Sequence, residues 1–277
     1  MKAERRQAWV TGVIAIIVSF VVFLVPFSFV VLQAAKSPAE ASDFSFTWPS
    51  KWQFVQNLST TLASGDGLLV RALVNSVVLT VGSVTLMVLI AAMAGYILAR
   101  KQSRWAPVVN FFVLAGLIVP PAVVPTIWLL QKLHLFGTMP GMILLETTFG
   151  LSFSILLFRA FVSSVPRELD EAAVLDGAGP IRLFAQVVLP LLRPVIVTVI
   201  VVQSVFVFND FALPLYFLPG NENVTAQLAL YTFYGQSLSF YNLLFMAILI
   251  ITVPPLVAYI FFNRQIVSGI TSGAVKG

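Results

Sequence analysis

The stretch Val10–Leu32 reads VTGVIAIIVSFVVFLVPFSFVVL and contains no charged side chain. A helix needs about 20 apolar residues to cross the hydrocarbon core of a bilayer, so this run predicts a membrane-spanning helix. Basic residues precede it, as in a secretory signal peptide, and Ala39-Glu40-Ala41 loosely resembles a cleavage site. The apolar core of a cleavable signal is only about 7–15 residues long. We therefore interpret the run as an uncleaved first helix.

Five further stretches are long and apolar enough to span a membrane, which predicts six spans. They are, with the first, 10–32, 72–98, 108–130, 141–162, 195–218 and 241–262. The third contains Pro120, Pro121 and Pro125, so we expect it to kink or break midway. The sequence thus predicts an all-α integral membrane protein with six transmembrane helices, which form a single domain over residues 1–277.

The overall composition supports a membrane protein. Apolar residues make up 59% of the chain and charged residues 10%, whereas a soluble domain has about 45–50% and about 25%. The mean hydropathy is +0.97. A lipid-facing surface can carry this apolar excess, because lipid does not penalise exposed aliphatic and aromatic side chains. The chain has no cysteine, which excludes disulfides and thiolate metal sites.

The basic residues indicate an orientation in the membrane rather than a nucleic-acid partner. The net charge of +5 comes from Lys and Arg residues that are spread thinly between apolar runs, not clustered in a block. With the N-terminus in the cytoplasm, the inner segments hold twelve of the sixteen Lys and Arg residues, as the positive-inside rule requires. Six spans then place both termini in the cytoplasm.

The predicted cytoplasmic segment 163–193 is more patterned than a simple connector. It reads SSVPRELDEAAVLDGAGPIRLFAQVVLPLLR. Ser164 and Pro166 favour the start of a helix, and Gly177 favours the left-handed residue that ends one. Pro180 begins a second helical run with an apolar stripe. The segment is therefore predicted to form two short helices joined at a glycine.

The first of these helices has features of a protein-docking surface. Leu169, Ala172, Ala173 and Asp176 are spaced three and four residues apart and so share a face, which the alanines make flat enough for close approach. The alternative is an amphipathic hairpin that lies on the lipid. Such a hairpin should be basic on its polar face, whereas this helix carries four acids against one arginine. Protein docking is the favoured interpretation, and lipid contact is the alternative.

The segment also resembles the EAA loop of ABC importer permeases. The matching positions, at the spacing of the family pattern, are Glu171, Ala172, Ala173, Asp176, Gly177, Ala178, Phe184, Leu189, Pro190 and Pro194. This resemblance implies a type I ABC importer permease, in which the loop couples a separate ATPase to transport. It further implies that Glu171 pairs with a basic residue of the ATPase and that Gly177 sets the bend between the two coupling helices.

Three other segments are similar to the carbohydrate-uptake, maltose-type branch, and to the smaller permease of its pair. They are Asn209–Phe211 with Pro214–Leu215, Arg71 with Asn75–Ser76, and the C-terminal tail from Gly269. The resemblance implies an importer of a sugar or oligosaccharide in a bacterial or archaeal inner membrane. Its implied partners are a second permease, an ATPase dimer, an extracytoplasmic solute-binding protein and the lipid bilayer. The tail residues implied to contact the ATPases are Gly273, Ala274, Val275, Lys276 and Gly277.

The sequence argues against a catalytic role for this chain. It contains no G-x-x-x-x-G-K-[ST] loop for nucleotide phosphates, so ATP and Mg²⁺ are expected in the partner ATPase. A membrane enzyme would need clustered metal ligands or a nucleophile next to a base. This sequence has one histidine and no cysteine, so it has few residues for either arrangement. A secondary transporter would need paired broken helices and midplane acids. An importer of glycerol phosphate or a polyamine on the same scaffold stays open, because fold does not fix substrate.

Polar residues at membrane depth are candidates for function. Asn209 and Asp210 fall in the outer half of the fifth span, where they line the translocation path, hold a gate or form an interhelical hydrogen bond. Glu146, near the outer end of the fourth span, is expected at headgroup level. Asn75 and Gln203 are expected to join helices. The single histidine has no second ligand at useful spacing, so no metal site is expected.

Overall fold

The computed structural model describes residues 2–101, 103–236 and 240–274, and its regular elements within those ranges are all helical. The α-helices are α1 (Lys2–Ser19), α2 (Val25–Ala35), α3 (Pro38–Ser42), α4 (Phe54–Arg100), α5 (Ala106–Ile118), α6 (Val123–Lys132), α7 (Met139–Ser164), α8 (Glu168–Leu175), α9 (Pro180–Leu183), α10 (Leu189–Leu191), α11 (Arg193–Asn209), α12 (Ala212–Phe217), α13 (Ala226–Gln236) and α14 (Tyr241–Ala274). The predicted all-α class is confirmed.

The described residues hold between four and six candidate membrane spans. Four helical segments are each long and apolar enough to cross a bilayer: Thr11–Ala35, Phe54–Arg100, Met139–Ser164 and Tyr241–Phe261. Two bent pairs raise the figure to six if each pair counts as one span. These pairs are α5 with α6, bent by 114°, and Pro180–Leu191 with α11, bent by 73°. The predicted six spans are the upper figure of this range.

Prolines account for the irregular turns of these helices. The predicted break in the third span is confirmed, because α5 ends at Ile118 and α6 begins only after Pro120 and Pro121. Residues Phe20–Leu24 and Phe184–Val188 form π-type turns that lie just before Pro26 and Pro190. A proline ring crowds the carbonyl four residues back and provides no N–H for it, and the helix accommodates this by widening a turn.

The predicted fifth span, 195–218, differs from the observed helix at its end. Helix α11 stops at Asn209, Asp210 is extended with ψ 127°, and the short α12 follows. The Asp210 carboxylate accepts hydrogen bonds from the backbone N–H groups of Ala212 (2.9 Å) and Leu213 (3.3 Å). This local capping competes with continuation of the helix, so the chain breaks where the sequence predicted an unbroken span.

Packing divides the chain into two compact units. The first comprises Met1–Arg71 and Ala229–Pro254, and the second comprises Ala72–Leu228 and Pro255–Gly277. The single transmembrane domain over 1–277 remains a prediction. In the first unit, the buried Asn57 amide donates to the carbonyls of Ala34 (2.8 Å) and Lys36 (2.9 Å) and accepts from Asn242 (3.0 Å). These bonds fix the entry to α4 against α2 and α14.

The second unit is built around α7, which packs against both α5 and α11. Its core includes Phe158, which is fully buried, and Val199 of α11. Helix α4 approaches α7 closely at Gly95, where an added Cβ would lie 2.6 Å from Phe158 Cβ and 2.9 Å from the Arg159 backbone nitrogen. Small residues permit such close helix contacts within membranes.

Candidate functional site

The predicted two-helix hairpin is present between α7 and α11. Helix α8 ends in a Schellman motif, in which Ala178 N–H donates to Ala173 O (2.9 Å) and Gly177 N–H donates to Val174 O (3.0 Å). Gly177 has φ +81°, the left-handed conformation predicted for it. The chain then enters α9 at Pro180. The positive φ of a single glycine therefore sets the turn between the two halves of the hairpin.

The docking face predicted from helical spacing is only partly correct. Glu171, Ala172 and Asp176 are exposed, as that prediction requires. Ala173 is not on this face, because it packs together with Ala178 against the hydrophobic core of the second unit. Helical spacing predicted that Ala173 and Ala172 share the exposed face. In the structure the core covers one side of the helix, and Ala173 lies on that side. The exposed face is thus narrower than predicted.

Large apolar side chains extend this exposed surface. Leu175 is 88% exposed and Ile181 is 85% exposed, on either side of the Gly177 turn. Acidic Glu171 and Asp176 lie beside them on the same hairpin. The surface defined by Glu171, Leu175, Asp176 and Ile181, here called the hairpin surface, combines negative charge with apolar area. Sequence reasoning missed the two apolar residues, although apolar residues on both sides of a turn glycine were a usable signal.

A partly buried ion pair joins the hairpin to the end of α4. Arg100 Nε donates to Asp170 Oδ2 at 2.9 Å, and the Tyr96 hydroxyl donates to the same oxygen at 3.1 Å. A second guanidinium nitrogen of Arg100 donates to the Val165 carbonyl at 2.9 Å. The Arg100 and Asp170 side chains are 12% and 15% exposed. Helix α8 is thus joined to α4 by this contact and to α7 by the chain itself.

The second half of the hairpin is packed into the same core. Leu183 and Val188 are buried, and the Phe184 ring lies 5.8 Å from the ring of Tyr96. Leu189 packs on the core, while Pro190 is exposed. Phe184 and Leu189, which are matched to the EAA loop, therefore hold this second half of the hairpin against the core.

A cavity of about 760 Å³ lies between α4, α7 and α11 of the second unit. Its lining residues are Met87, Glu146, Phe149, Gly150, Phe153, Gln203, Val205, Phe206, Val207, Asn209 and Asp210. Both residues predicted to line a path or gate, Asn209 and Asp210, belong to this lining. The volume falls within the range of about 300–1,000 Å³ for small-molecule sites.

Glu146 contradicts its predicted position. Sequence position placed it at headgroup level, but it is only 6% exposed. It lines the same cavity as Asp210, and its Oε1 atom has no hydrogen-bond partner among the described residues. The other wall residues, such as those of α11, lie far away in sequence, so no local pattern indicated the burial of Glu146.

Amide side chains hold the rest of the cavity wall in place. Gln203 Nε2 donates to Gly150 O and to Ser154 Oγ, both at 3.1 Å, which confirms that Gln203 joins two helices. Asn209 Nδ2 donates to Val205 O at 2.8 Å, and its Oδ1 accepts from Gln227 Nε2 at 3.1 Å.

Asn75 was predicted to join helices and does not do so. Its amide donates to the carbonyls of Glu222 (3.1 Å) and Val224 (3.0 Å), which lie in the loop that precedes α13. The amide of Asn75 therefore holds the backbone of this loop.

The predicted tail lies mostly beyond what the structure describes. Gly273 and Ala274 are the last residues of α14, and Val275, Lys276 and Gly277 fall outside the described residues. Among the described residues, no group of three or more His, Asp and Glu side chains has an arrangement that could hold a metal ion.

An apolar helical protein with a structured hairpin and a cavity that carries a few polar side chains has the features of a membrane transport component. Residues 87–271 match the family described as "Binding-protein-dependent transport system inner membrane component". The chain belongs to this family, and the resemblance drawn from the EAA loop is confirmed.

The chain is similar to several permeases, and the similarity extends over nearly the whole length of each of them. It is 32% identical to the diacetylchitobiose uptake system permease protein NgcG of Streptomyces coelicolor, over 99% of this chain and 91% of that protein. It is 28% identical to the melibiose/raffinose/stachyose import permease protein MelC of Bacillus subtilis, over 100% of both chains. It is 31% identical to the trehalose transport system permease protein SugB of Mycobacterium tuberculosis, over 83% of this chain and 92% of that protein.

The fold is shared with a solved structure. One chain of a bacterial ABC transporter involved in the import of the acidic polysaccharide alginate superposes with a TM-score of 0.83, over 95% of this chain and 98% of that chain. The two are 19% identical, so this likeness concerns the fold alone.

Proposed function

We propose that this chain is one permease subunit of an ATP-driven, binding-protein-dependent importer of a sugar or oligosaccharide. NgcG, MelC and SugB are all named for the transport of sugars, and this agreement supports a carbohydrate as the solute. A second permease, an ATPase dimer and an extracytoplasmic solute-binding protein complete the proposed complex. One related solved structure is of an alginate transporter in complex with a periplasmic protein bound to alginate pentasaccharide, which supports the binding protein as a partner.

The hairpin surface faces the cytoplasm in this proposal. The excess of Lys and Arg in the predicted inner segments supports that orientation, and both termini then lie on the same side. The ATPase dimer docks on the hairpin surface, where Glu171 meets a basic side chain and Leu175 and Ile181 enter apolar pockets. The tail, Gly273–Gly277, reaches the same ATPases. ATP and Mg²⁺ are bound by those ATPases, and this chain supplies the contact through which their motion is received.

The observation that carries the proposal is the attachment of the hairpin to three helices. The hairpin continues into α7 on one side and α11 on the other, and the Arg100–Asp170 pair joins it to α4. A displacement of α8 by a docked ATPase therefore moves all three helices together. Because α4, α7 and α11 also form the cavity wall, the same motion changes the access of the cavity. Asn209 and Asp210 act in this proposal as lining of the translocation path.

A charge reversal on the hairpin surface tests the proposal. In proteoliposomes with the complete complex, the Glu171→Lys variant should lose ATP-driven uptake by about tenfold or more, because a repulsive contact of about 1.4 kcal/mol already changes an equilibrium tenfold. Glu222→Lys is the matched control, since Glu222 is an exposed acid in a predicted outer segment. Unimpaired uptake by Glu171→Lys would refute the docking assignment.

The same assay separates the alternatives. Uptake that depends on an ion gradient and not on ATP would indicate a stand-alone secondary transporter. ATP-driven uptake of glycerol phosphate or a polyamine, without uptake of raffinose, trehalose or diacetylchitobiose, would assign a different solute to the same scaffold.

A further inference from the structure

The cavity contains a buried polar atom that no described residue satisfies. Glu146 is 6% exposed, and its Oε1 atom lacks a hydrogen-bond partner among the described residues. An unsatisfied buried oxygen is costly, so its persistence indicates that a donor from water or a solute reaches it. The atom lies in a cavity of about 760 Å³, which has room for such a donor.

The surroundings of the cavity fit an aqueous passage better than a lipid-facing groove. Helix α11 ends at Asn209 and the extended Asp210 follows within the lining. Irregular backbone at membrane depth is tolerated where it is buried in protein or lines a water-filled cavity. Acids at this depth also avoid lipid. Both the broken helix and the carboxyl groups therefore indicate access to water.

The lining of the cavity is acidic. Two carboxyl groups, those of Glu146 and Asp210, belong to the lining. Asp210 also accepts two backbone N–H bonds, one on each carboxylate oxygen. None of the described residues in the lining is Lys, Arg or His. A low-dielectric wall strengthens the field of such an uncompensated charge.

The remaining lining has the chemistry of a site for uncharged hydroxyl-rich molecules. Phe153 and Phe206 are partly exposed, at 39% and 68%, and offer apolar ring faces. Asn209 and the free Glu146 oxygen offer hydrogen-bond partners for hydroxyl groups. A few convergent polar groups on an apolar wall are typical of small-molecule sites.

We propose that this cavity is a solute-contacting section of the translocation path, in which the Glu146–Asp210 pair admits neutral sugars and repels anionic ones. This inference rests on the proposed function for the identity of the solute. It excludes uronic-acid oligosaccharides and phosphorylated solutes, including glycerol phosphate, at the level of this subunit. It also assigns substrate contact to this chain, through Glu146 as well as Asn209 and Asp210.

The absence of cysteine in the sequence permits a direct test in the complete complex. The Phe206→Cys variant is treated with two membrane-impermeant methanethiosulfonates, the cationic trimethylammonium reagent and the anionic sulfonate reagent. Each rate is divided by the rate with free cysteine. We expect the cationic reagent to be favoured by about tenfold or more, as for electrostatically steered association. Phe111→Cys is the control for an exposed phenylalanine outside the cavity, at 67% exposure, and should show little reaction with either reagent.

Two further measurements attribute the preference to the acidic pair. Glu146→Gln with Asp210→Asn, in the Phe206→Cys background, should reduce the rate ratio toward one. If that variant does not fold, raising the salt concentration in the parent variant should reduce the ratio in the same direction, because salt screens the field. Raffinose, if imported, should slow the cationic reaction, whereas an alginate oligosaccharide should not.

The outcomes separate this inference from the proposed function. Equal normalised rates would overturn the charge selection. Reaction in the isolated chain but not in the complete complex would overturn it as well, because the second permease would then fill the cavity. If the cationic preference is found while ATP-driven sugar uptake fails, the proposed function is wrong and the acidic cavity stands.

Discussion

Arg100 and Asp170 form an ion pair with a 2.9 Å separation between Nε and Oδ2, although 70 positions separate them in the sequence. Arg100 is the last residue of α4, and Asp170 lies in the first turn of α8. Charged hydrogen bonds of this kind are stronger than neutral ones. The pair therefore joins α4 to the hairpin, which is covalently continuous with α7 and α11.

Removal of this pair should uncouple transport from ATP hydrolysis. Arg100→Ala leaves the Asp170 carboxylate with the Tyr96 hydroxyl as its remaining described partner, at a cost of about 2 kcal/mol in the local stability of the hairpin contact. We expect the ratio of solute transported to ATP hydrolysed to fall severalfold in proteoliposomes, while the amount of assembled complex is retained. Both rates are measured on the same preparation.

The exchanged pair distinguishes coupling from simple loss of charge. Arg100→Asp combined with Asp170→Arg should recover part of the transport-to-hydrolysis ratio, whereas either reversal alone should not. If the loss of the transport-to-hydrolysis ratio in the double variant equals the combined losses of the two single variants, the pair does not transmit motion between α4 and α8.

Substitution of Gly177 should disturb the hairpin more than substitution of its neighbour. Gly177→Ala places a side chain at φ +81°, at a cost of about 1–2 kcal/mol. Gly179→Ala is the matched control, because Gly179 has φ −69° and an added Cβ there would meet nothing within 4 Å. Binding of the purified ATPase to the permeases, measured by co-purification, should weaken for the first variant alone. Equal binding by both variants would contradict a role for the left-handed turn.

Enlargement of Gly150 should destabilise the cavity wall. An added Cβ would lie 2.5 Å from Met87 Sδ and 3.1 Å from Gln203 Oε1. Because Met87 is fully buried, relief requires repacking at a cost of about 1–3 kcal/mol. Gly150→Ala should lower the thermal midpoint in detergent, and Gly12→Ala, which meets nothing within 4 Å, should not. An unchanged midpoint for Gly150→Ala would show that α4 and α7 pack less closely than described.

The turn between α3 and α4 should be sensitive to acid. Hydrogen bonds from the hydroxyl and amide of Ser50, with those from Ser37, lower the pKa of Glu40 from 4.5 to about 2. A pKa that is lower in the folded state means that the ionised form stabilises the turn above pH 4.5, and that this stabilisation is lost as the pH falls toward 2. The protection factor of the Ser50 amide against hydrogen exchange should decrease over that range. In Glu40→Gln it should be low throughout, and a pH-independent protection factor in the wild type would contradict the bond.

Local patterns were sufficient for much of the fold. The apolar runs predicted where helices lie, and the paired prolines at 120 and 121 predicted the break between α5 and α6. Gly177 was assigned its left-handed turn from the residues around it. Each of these features depends on neighbours in the sequence, because hydropathy, ring closure and the lack of a Cβ act within a few residues.

The errors concern contacts between distant segments. Glu146 was expected at headgroup level, yet Asp210 and the cavity wall bury it. Ala173 was assigned to the exposed face, yet the core of the second unit lies against it. The fifth span was predicted to continue past Asn209, yet the capping by Asp210 ends it. Helical spacing shows which residues share a face but not which face meets the core, and it gives no sign of a partner in a distant part of the chain.

Site-directed photo-crosslinking can show whether the hairpin surface contacts the ATPase. A photoreactive group is attached to the Leu175→Cys variant, and to Phe111→Cys as a control for an exposed apolar residue elsewhere on the second unit. In the complete complex, we expect an adduct between the Leu175 position and the ATPase, and none from the Phe111 position. Adducts from the Leu175 position with lipid or with the solute-binding protein, and none with the ATPase, would contradict it.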